Sequence, residues 1–200
     1  IGDASVGGSL GVHLKRAGYD GVILTGKCDS LTGIEIKDTD VTFHDAGALA
    51  SLDTERVTEK LKGKGATVVV GPAAEYGVLF STIMVDGSYA IGRNGMGCIF
   101  AGKGLKYLTV QGGGKVDIYD PEGLKSARED IRRLIAASPI LLGEQGITHY
   151  GTGAIFDLMA SRRMMPTANF RETYFPPAPG LNAPAYKKRY GDKHTGCRGC

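Results

Sequence analysis

A glycine-rich stretch at residues 86–106 holds residue types that could bind a ligand directly. Six glycines lie there among apolar and basic residues, which include Arg93. Glycine lets the backbone approach a ligand without a Cβ, and successive N–H groups can bind an anion. A guanidinium matches the geometry of phosphate. The stretch therefore predicts a binding loop for a phosphorylated ligand, with a flexible surface loop as the alternative interpretation.

A cysteine pair, Cys197 and Cys200, is the second chemically informative feature, with His194 three residues before it. Two thiolates at this spacing can bind one metal centre, and a complete site needs two further ligands. Zinc, an iron–sulfur cluster and a redox dithiol all use this spacing. Nearby basic residues would either offset the charge of a negative cluster or form a solvated surface. Two other cysteines are predicted to be small core or loop residues: Cys28 and Cys98.

A nucleotide-binding interpretation comes from residues 97–103, which fit seven positions of the P-loop pattern. The eighth position is Gly104, where the pattern requires Ser or Thr to bind magnesium. No clear strand precedes Gly97, and the dinucleotide-binding glycine spacing fails as well. Nucleotide binding is therefore a weak alternative, and it predicts that nucleotide retention depends on Lys103.

Composition limits the classes of protein to consider. The 200 residues fit one domain or one and a part, and 42% hydrophobic residues supply a substantial core. A net charge of +3 is too small to indicate a nucleic-acid or membrane-surface partner. No apolar run approaches the ~20 residues of a membrane span. Four unevenly spaced cysteines favour a reducing compartment, which predicts a cytoplasmic location.

The elements that would position these residues are mixed in the first part of the chain. Apolar runs predict strands at residues 21–25, 34–37, 41–44, 67–70, 78–85 and 108–110. Shorter periodic segments predict helices at residues 12–17 and 54–61, the second capped by Asp53. The alternating strands on either side of residues 38–40 predict a hairpin.

The spacing of glycines hints at an internal repeat. Gly11 and Gly18 lie seven residues apart before an apolar run, and so do Gly97 and Gly104. If the repeat is real, two related loops hold two similar ligands. Because glycine is so frequent in this chain, such spacing arises easily by chance, which is the favoured explanation.

After Gly112 the chain becomes helical in character. Asp120 and Pro121 are typical of a helix start, and the apolar stripe continues to about residue 137. A second helix is predicted over residues 152–161, followed by a proline-rich irregular segment up to Gly191. The end of the chain at the second cysteine of a metal-binding pair predicts that this sequence is a fragment of a longer chain.

Four blocks of the sequence resemble the aldehyde ferredoxin oxidoreductase family, whose members are tungsten or occasionally molybdenum bis-pterin enzymes. The blocks are residues 7–27, residues 71–87, residues 92–106, and residues 166–170 together with the cysteine pair. The resemblance implies an α+β fold with a large mixed β-sheet of two similar halves. It implies a pterin-binding domain over residues 1–111, followed over residues 112–200 by the beginning of an all-helical, iron–sulfur-binding domain.

The same resemblance implies a set of cofactors and ligands. A tungsten or molybdenum atom would be held by two pterins, with Mg²⁺ bridging their phosphates. Residues implied to line one pterin and its magnesium are Ser5, Gly7 and Gly8. Residues implied to line the other are Tyr89, Ala90, Gly92 and Arg93. The first two of four ligands to a [4Fe-4S] cluster would be Cys197 and Cys200.

The implied activity is oxidation of a small aldehyde to a carboxylic acid, with electrons passing through the cluster to ferredoxin or another carrier subunit. The alternatives are a ring-reducing acyl-CoA reductase of the same family, a zinc-binding module and a nucleotide-binding module. The family often has Asn where Ser5 stands and Arg where Tyr89 stands, so one phosphate contact is expected to differ. No residue here suggests a catalytic acid or base, and His149 is expected to be structural or exposed. The catalytic residues, the substrate and the choice between homodimer and hetero-oligomer stay open.

Overall fold

The computed structural model describes residues 2–144 and 146–191, which form two compact units. The sheet unit comprises the described residues up to Asp117, and the helical unit begins at Ile118. Within the described part of the chain, no helix is long and apolar enough to cross a membrane.

A six-stranded mixed β-sheet forms the centre of the sheet unit, in the spatial order β2-β1-β6-β3-β4-β5. Strands β1 and β6 pair in parallel, and the other neighbours pair antiparallel. The six strands are β1 (Thr32–Lys37), β2 (Asp40–Asp45), β3 (Ala66–Val69), β4 (Ile83–Val85), β5 (Tyr89–Ile91) and β6 (Leu105–Gln111).

A register shift interrupts the parallel pair. Thr32 lies opposite Leu105, but the next residue, Gly33, lies opposite Tyr107. Lys106 is therefore the extra residue of a β-bulge, a feature that redirects a side chain relative to the sheet. The bulge lets the Lys106 side chain be fully buried, although the adjacent residues of β6 are apolar core residues.

Short helices cover both faces of the sheet. The helices of the sheet unit are α1 (Leu10–Arg16), α2 (Thr54–Lys60), α3 (Pro72–Glu75) and α4 (Met96–Gly102). Side chains of α1 and α4 pack into one core cluster with Ile34, Val68 and Val110. Val57 of α2 packs into a second cluster with Tyr107. The sheet is therefore the middle layer of the unit.

The helical unit begins with the longest helix, whose start follows the predicted capping pattern. Asp120 accepts a hydrogen bond from the Gly123 N–H at 2.9 Å, and Pro121 takes the first helical position. The helices of this unit are α5 (Pro121–Ala136), α6 (Pro139–Leu142), α7 (Ile147–Tyr150), α8 (Phe156–Ser161) and α9 (Ala183–Tyr190).

The predicted mixed sheet followed by helices is confirmed, but several element predictions in the sheet unit are wrong. Residues 21–25 form no strand, since Ile23 is 90% exposed and packs into neither core cluster. The strand predicted at residues 78–85 is confined to β4, because Leu79 and Phe80 lie in an exposed turn. Residues 86–106 are not one loop, because they contain β5 and α4.

Two predictions also fail in the helical unit. The helix predicted from residue 152 starts as a 3-10 helix over Gly151–Ile155, and only α8 is α-helical. The proline-rich segment contains α9, where Asn182 caps the helix by accepting from the Ala185 N–H at 3.0 Å. Pro184 lies in the first turn of α9, where a missing N–H costs no intrahelical bond.

The predicted repeat is present only in part. Helices α1 and α4 are both seven residues long, and each is followed by a glycine with positive φ, Gly18 or Gly104. A strand follows directly only after α4, because no strand forms at residues 21–25. The helix and glycine of the repeat therefore recur, and the strand does not.

Candidate cofactor site

Two segments that are distant in sequence, residues 2–9 and 86–94, lie side by side in the sheet unit. At one end, Asn94 Nδ2 donates a hydrogen bond to the backbone oxygen of Asp3 at 2.6 Å. At the other end, Asp86 Oδ2 accepts hydrogen bonds from the Ser9 N–H at 2.6 Å and the Ser9 hydroxyl at 2.8 Å. The segments are thus joined by side chains at both ends.

A cavity of about 520 Å³ opens between residues of these two segments. Its volume falls within the roughly 300–1,000 Å³ that small-ligand sites occupy. The lining residues come from both segments: Asp3, Ala4, Ser5, Ala90, Gly92 and Arg93. The cavity is therefore a feature of the contact between the segments rather than of either one alone.

Most of the predicted pterin-binding residues lie at this contact. Those that line the cavity are Ser5, Ala90, Gly92 and Arg93. Gly8 packs beside Tyr89, since a Cβ on Gly8 would lie 3.1 Å from the Tyr89 ring and 2.8 Å from Asp86. Gly7 immediately precedes this contact and is half-buried. The cysteines Cys197 and Cys200 fall outside the described residues.

The chemistry of the lining fits a phosphorylated ligand with a divalent cation. Arg93 forms no ion pair with any described residue, so its guanidinium can face an anion. A Cβ built on Gly92 would meet no described atom within 4 Å apart from its chain neighbours. Neither packing nor a positive φ requires glycine there, and the space that it leaves belongs to the cavity. Asp3 and Ser5 add oxygen atoms of the kind that Mg²⁺ prefers.

Two other glycines of the same stretch have a packing role instead. A Cβ on Gly95 would lie 2.0 Å from the Leu79 oxygen, and one on Gly97 would lie 2.6 Å from the Thr82 oxygen. These glycines let the start of α4 approach the segment before β4. The P-loop hypothesis is wrong in its geometry, because the residues between these glycines and Lys103 form α4 rather than a phosphate-binding loop.

A buried ion pair lies on the sheet, among residues that do not line the cavity. The side chain of Lys106 is fully buried, pairs with Glu75 and donates a hydrogen bond to the Leu52 oxygen at 2.8 Å. The other carboxylate oxygen of Glu75 accepts from the Ser51 N–H at 2.8 Å. This cluster joins β6, α3 and the loop before α2, so its role is structural.

A second ion pair lies between β1 and the turn before β3. Lys64 Nζ lies 2.6 Å from Glu35 Oε2. This hydrogen bond lowers the pKa of Glu35 and raises the pKa of Lys64 relative to their ordinary values. Burial raises the pKa of the neighbouring Tyr107. None of these groups lines the cavity, so their titration is a matter of stability.

The helical unit contains a separate cavity of about 410 Å³. His149 lines it with aromatic residues that include Tyr150 and Tyr186. Lys187 Nζ lies 5.2 Å from the centre of the Tyr150 ring, a cation–π contact. His149 itself is exposed, as the sequence predicted.

Sequence reasoning missed three residues at this candidate site: Asp3, Asp86 and Asn94. Asp86-Gly87 and Asn94-Gly95 are dipeptides typical of turns, and both Asp86 and Asn94 have positive φ, +50° and +59°. That signal predicts turns but not partners. Their hydrogen bonds reach residues 77 and 91 positions earlier in the chain.

Comparison with known proteins yields two family matches. "Aldehyde ferredoxin oxidoreductase, N-terminal domain" matches residues 1–112, and "Aldehyde ferredoxin oxidoreductase, domains 2 & 3" matches residues 126–200. The tungsten-containing aldehyde ferredoxin oxidoreductase of Pyrococcus horikoshii is 32% identical over 100% of this chain. The WOR-like subunit of an aliphatic sulfonate oxidoreductase from Pyrococcus furiosus is 31% identical over 82% of it. The chain spans 33% of the first relative and 28% of the second.

A solved structure is similar as well. The active site complex BamBC of benzoyl coenzyme A reductase, in complex with 1,5-dienoyl-CoA, superposes with a TM-score of 0.60. It is 27% identical in sequence, and the match covers 74% of this chain and 26% of that one.

Proposed function

The chain belongs to the aldehyde ferredoxin oxidoreductase family, and on that basis we propose that its sheet unit binds the phosphorylated ends of a bis-pterin cofactor. The metal of that cofactor is tungsten or molybdenum. The names of the curated relatives favour tungsten, because several are tungsten-containing enzymes. The binding site is the cavity between residues 2–9 and 86–94.

One observation carries this proposal: a single cavity is lined by Ser5 from the first segment and by Ala90, Gly92 and Arg93 from the second. The family resemblance assigned the two groups to different pterins. A cavity lined by both suits two phosphate ends that meet at one magnesium ion. The sequence separation makes this arrangement a product of the fold rather than of a local motif.

Each lining residue has a role that follows from its chemistry. The Arg93 guanidinium binds phosphate through paired N–H groups. Gly92 lets the backbone come close to the ligand because it has no side chain. Oxygen atoms of Ser5 and Ala90, with the Asp3 carboxylate, would hold the magnesium ion. Gly7 and Gly8 would shape the turn that brings Ser5 to the cavity, and Tyr89 packs beside Gly8 at that turn.

When bound, the cofactor supplies oxygen-atom transfer and redox chemistry that no side chain provides. The complete protein would thus oxidise a small aldehyde to a carboxylic acid. Cys197 and Cys200 would provide two ligands of a [4Fe-4S] cluster that delivers electrons to ferredoxin or to another carrier subunit. The free thiols of Cys28 and Cys98 support the cytoplasmic location proposed from cysteine spacing.

Metal and pterin analysis of the intact protein, purified without oxygen, tests the proposal. In each chain we expect one tungsten or molybdenum atom, two pterins and the iron of one [4Fe-4S] cluster. Replacing Arg93 by Met should weaken the retention of pterin and tungsten by about ten- to hundredfold, since a charge-assisted phosphate contact is worth roughly 1.5–3 kcal/mol. Iron should stay unchanged.

The matched control is Arg16→Met, which removes an exposed arginine of α1 that does not line the cavity. It should leave pterin, tungsten and iron at wild-type levels. Zinc without pterin in the wild-type protein would contradict the proposal, and so would full pterin retention in the Arg93 variant.

Ring reduction of an aromatic acyl-CoA is the second candidate function, favoured by the similarity to the benzoyl coenzyme A reductase complex. Both functions use the same cofactor cavity and differ in substrate. The holoenzyme should therefore be assayed with small aldehydes and a dye acceptor, and with an aromatic acyl-CoA and a reducing dye. Turnover of the acyl-CoA alone would replace aldehyde oxidation as the assigned activity.

A further inference from the structure

We infer that Asp86 and Asn94 are positioning residues that hold the two walls of the cofactor cavity at a fixed separation. The inference rests on the proposed function, because it concerns retention of the pterins in that cavity. Neither residue lines the cavity. Each connects one end of residues 86–94 to one end of residues 2–9.

Asp86 connects the first wall to the sheet. Its Oδ2 accepts two hydrogen bonds from Ser9, and its Oδ1 accepts a third from the Thr67 N–H of β3 at 3.0 Å. The Asp86 N–H in turn donates to the Thr67 oxygen at 2.9 Å. A carboxylate accepts such hydrogen bonds more strongly than a neutral group does. Ser9 is therefore tied through one side chain to a buried strand.

Asn94 makes the corresponding connection at the other end. Its Nδ2 donates a hydrogen bond to the backbone oxygen of Asp3 at 2.6 Å. The Asn94 side chain also packs against Gly2, because a Cβ added to Gly2 would lie only 2.8 Å from the Asn94 Cβ. Asn94 directly follows Arg93 in the chain. Its tether therefore fixes the point from which the guanidinium reaches into the cavity.

Side chains must do this work because backbone bonding does not. Among the described residues, no backbone–backbone hydrogen bond joins residues 3–8 to the rest of the sheet unit, and these residues form no strand or helix. The cavity-lining residues of both segments fall between the two tethers in sequence, apart from Asp3, whose backbone oxygen accepts the Asn94 tether. The second wall is also held in the sheet through β5, whereas the first wall has only the two tethers and the packing of Val6 on the core cluster to hold it.

A fixed wall separation matters for binding because ordering a mobile wall costs free energy that would otherwise favour the ligand. Breaking either tether should leave the phosphate-binding groups present but no longer arranged in advance. The expected effect is faster loss of bound pterin, with the fold and the iron content retained.

The test uses the variants Asp86→Asn and Asn94→Asp in the intact holoenzyme. Both replacements tolerate positive φ, so the turns can keep their conformation. Asp86→Asn keeps the shape of the side chain but turns one acceptor oxygen into a donor that opposes a backbone N–H. Asn94→Asp turns the donor to the Asp3 oxygen into an acceptor.

A close match exists for the control, Asp38→Asn. Asp38 also has a φ of +50° and accepts a backbone hydrogen bond across the sequence, from the Gly113 N–H at 2.7 Å. It does not line the cavity. Any general effect of changing Asp to Asn in such a turn should therefore appear in this variant too.

The first measurement is the rate of pterin release after dilution, with the iron content of the same sample as the internal reference. Asp86→Asn should lose pterin about tenfold faster than wild type, because it disturbs partly buried bonds to a carboxylate. Asn94→Asp should lose it about threefold faster, because the Asn94 bond is neutral and exposed. Asp38→Asn should release pterin at the wild-type rate. Hydrogen–deuterium exchange gives the second measurement, and it should rise in residues 3–9 and 86–94 together in the tether variants only.

The outcomes separate this inference from the proposed function. If Arg93→Met loses pterin while both tether variants behave like Asp38→Asn, the inference is overturned and the function stands. If wild-type protein contains no pterin, the function fails, and unchanged exchange in the two segments would overturn the tethers as well. If Asp86→Asn also loses iron and melts early, Asn94→Asp decides, because Asn94 is exposed and outside both core clusters.

Discussion

The sheet unit and the helical unit place similar apolar side chains in very different surroundings. In β6 of the sheet unit, Leu108 is 6% exposed and Val110 is fully buried. In the helical unit, α5 buries no residue, and Leu134 of its apolar stripe is 73% exposed. The sheet unit thus contains its own core, whereas α5 presents apolar surface of the kind that marks an interaction site.

The difference teaches which unit is held by internal packing. Every strand of the sheet unit has a partner at a defined register, and helices pack on both faces. The described contacts of the helical unit are mainly local, between helices adjacent in sequence. The largest effects of substitution should therefore be found in the sheet unit.

The largest expected effect is that of Lys106→Met, which removes the cation of the buried pair with Glu75. The Glu75 side chain is 14% exposed and its carboxylate would lose the cation that pairs with it, which should cost about 3 kcal/mol of unfolding free energy. Denaturant unfolding monitored by hydrogen exchange should show the loss of stability in β3 and β6. Exchange in α5 should be unchanged. The control Lys62→Met changes an exposed lysine and should have little effect. Equal midpoints for the two variants would contradict a buried, paired Lys106.

A matched pair of leucine replacements sharpens the comparison directly. Leu108→Ala should cost about 2–5 kcal/mol, because it leaves a cavity in a packed core. Leu134→Ala makes the same chemical change at an exposed position and should cost less than about 0.5 kcal/mol. Thermal melting of both variants measures the difference. Similar losses at the two sites would show that α5 is covered in the intact protein, and would remove the contrast between the units.

The sequence predicts features that depend on neighbouring residues better than features that depend on distant residues. The hairpin at residues 38–40, the Asp53 cap and the Asp120-Pro121 helix start depend on neighbouring residues, and the structure confirms all three. The strand predicted at residues 21–25 fails because an apolar run does not reveal whether another strand is available to pair with it. Helix α9 was recoverable from Asn182 followed by a proline within the first turn, a pattern that the other prolines obscured.

The candidate site follows the same rule. Family resemblance predicted Ser5, Ala90, Gly92 and Arg93 as pterin-lining residues, and the structure brings them to one cavity. It did not identify Asp86 or Asn94, whose roles depend on hydrogen bonds across most of the sheet unit. Residue type and spacing predict local geometry. Only the folded structure shows which distant backbone atoms a side chain contacts.

The smallest expected effect concerns acid stability. The hydrogen bond from Lys64 holds the pKa of Glu35 below its ordinary value, so the ionised pair stabilises the folded state above about pH 4.5. That stability should disappear as the pH falls through the lowered pKa. Because both side chains are partly exposed, the contribution should be under about 1 kcal/mol.

Unfolding midpoints between pH 6 and pH 3 test this expectation against Glu35→Gln. The variant should be less stable than wild type at pH 6, and the difference should shrink as the pH falls below 4.5 towards 3. In the helical unit, Asp130→Asn breaks the exposed pair with Arg133 on α5 and should change the midpoint at neither pH. A pH-independent gap for Glu35→Gln would show that the pair does not contribute through its charge.

The position of β6 has a consequence for how the molecule forms. This strand lies between β1 and β3 in the sheet, yet the ribosome makes it last of the six. Ile34 must find Leu108, 74 residues later, before the parallel pair exists. Such distant pairing is slow compared with the coiling of a single helix. The β1–β2 hairpin therefore has an unpaired edge on β1 until β6 has been synthesised. The two parts of the sheet are joined only when β6 pairs with both β1 and β3.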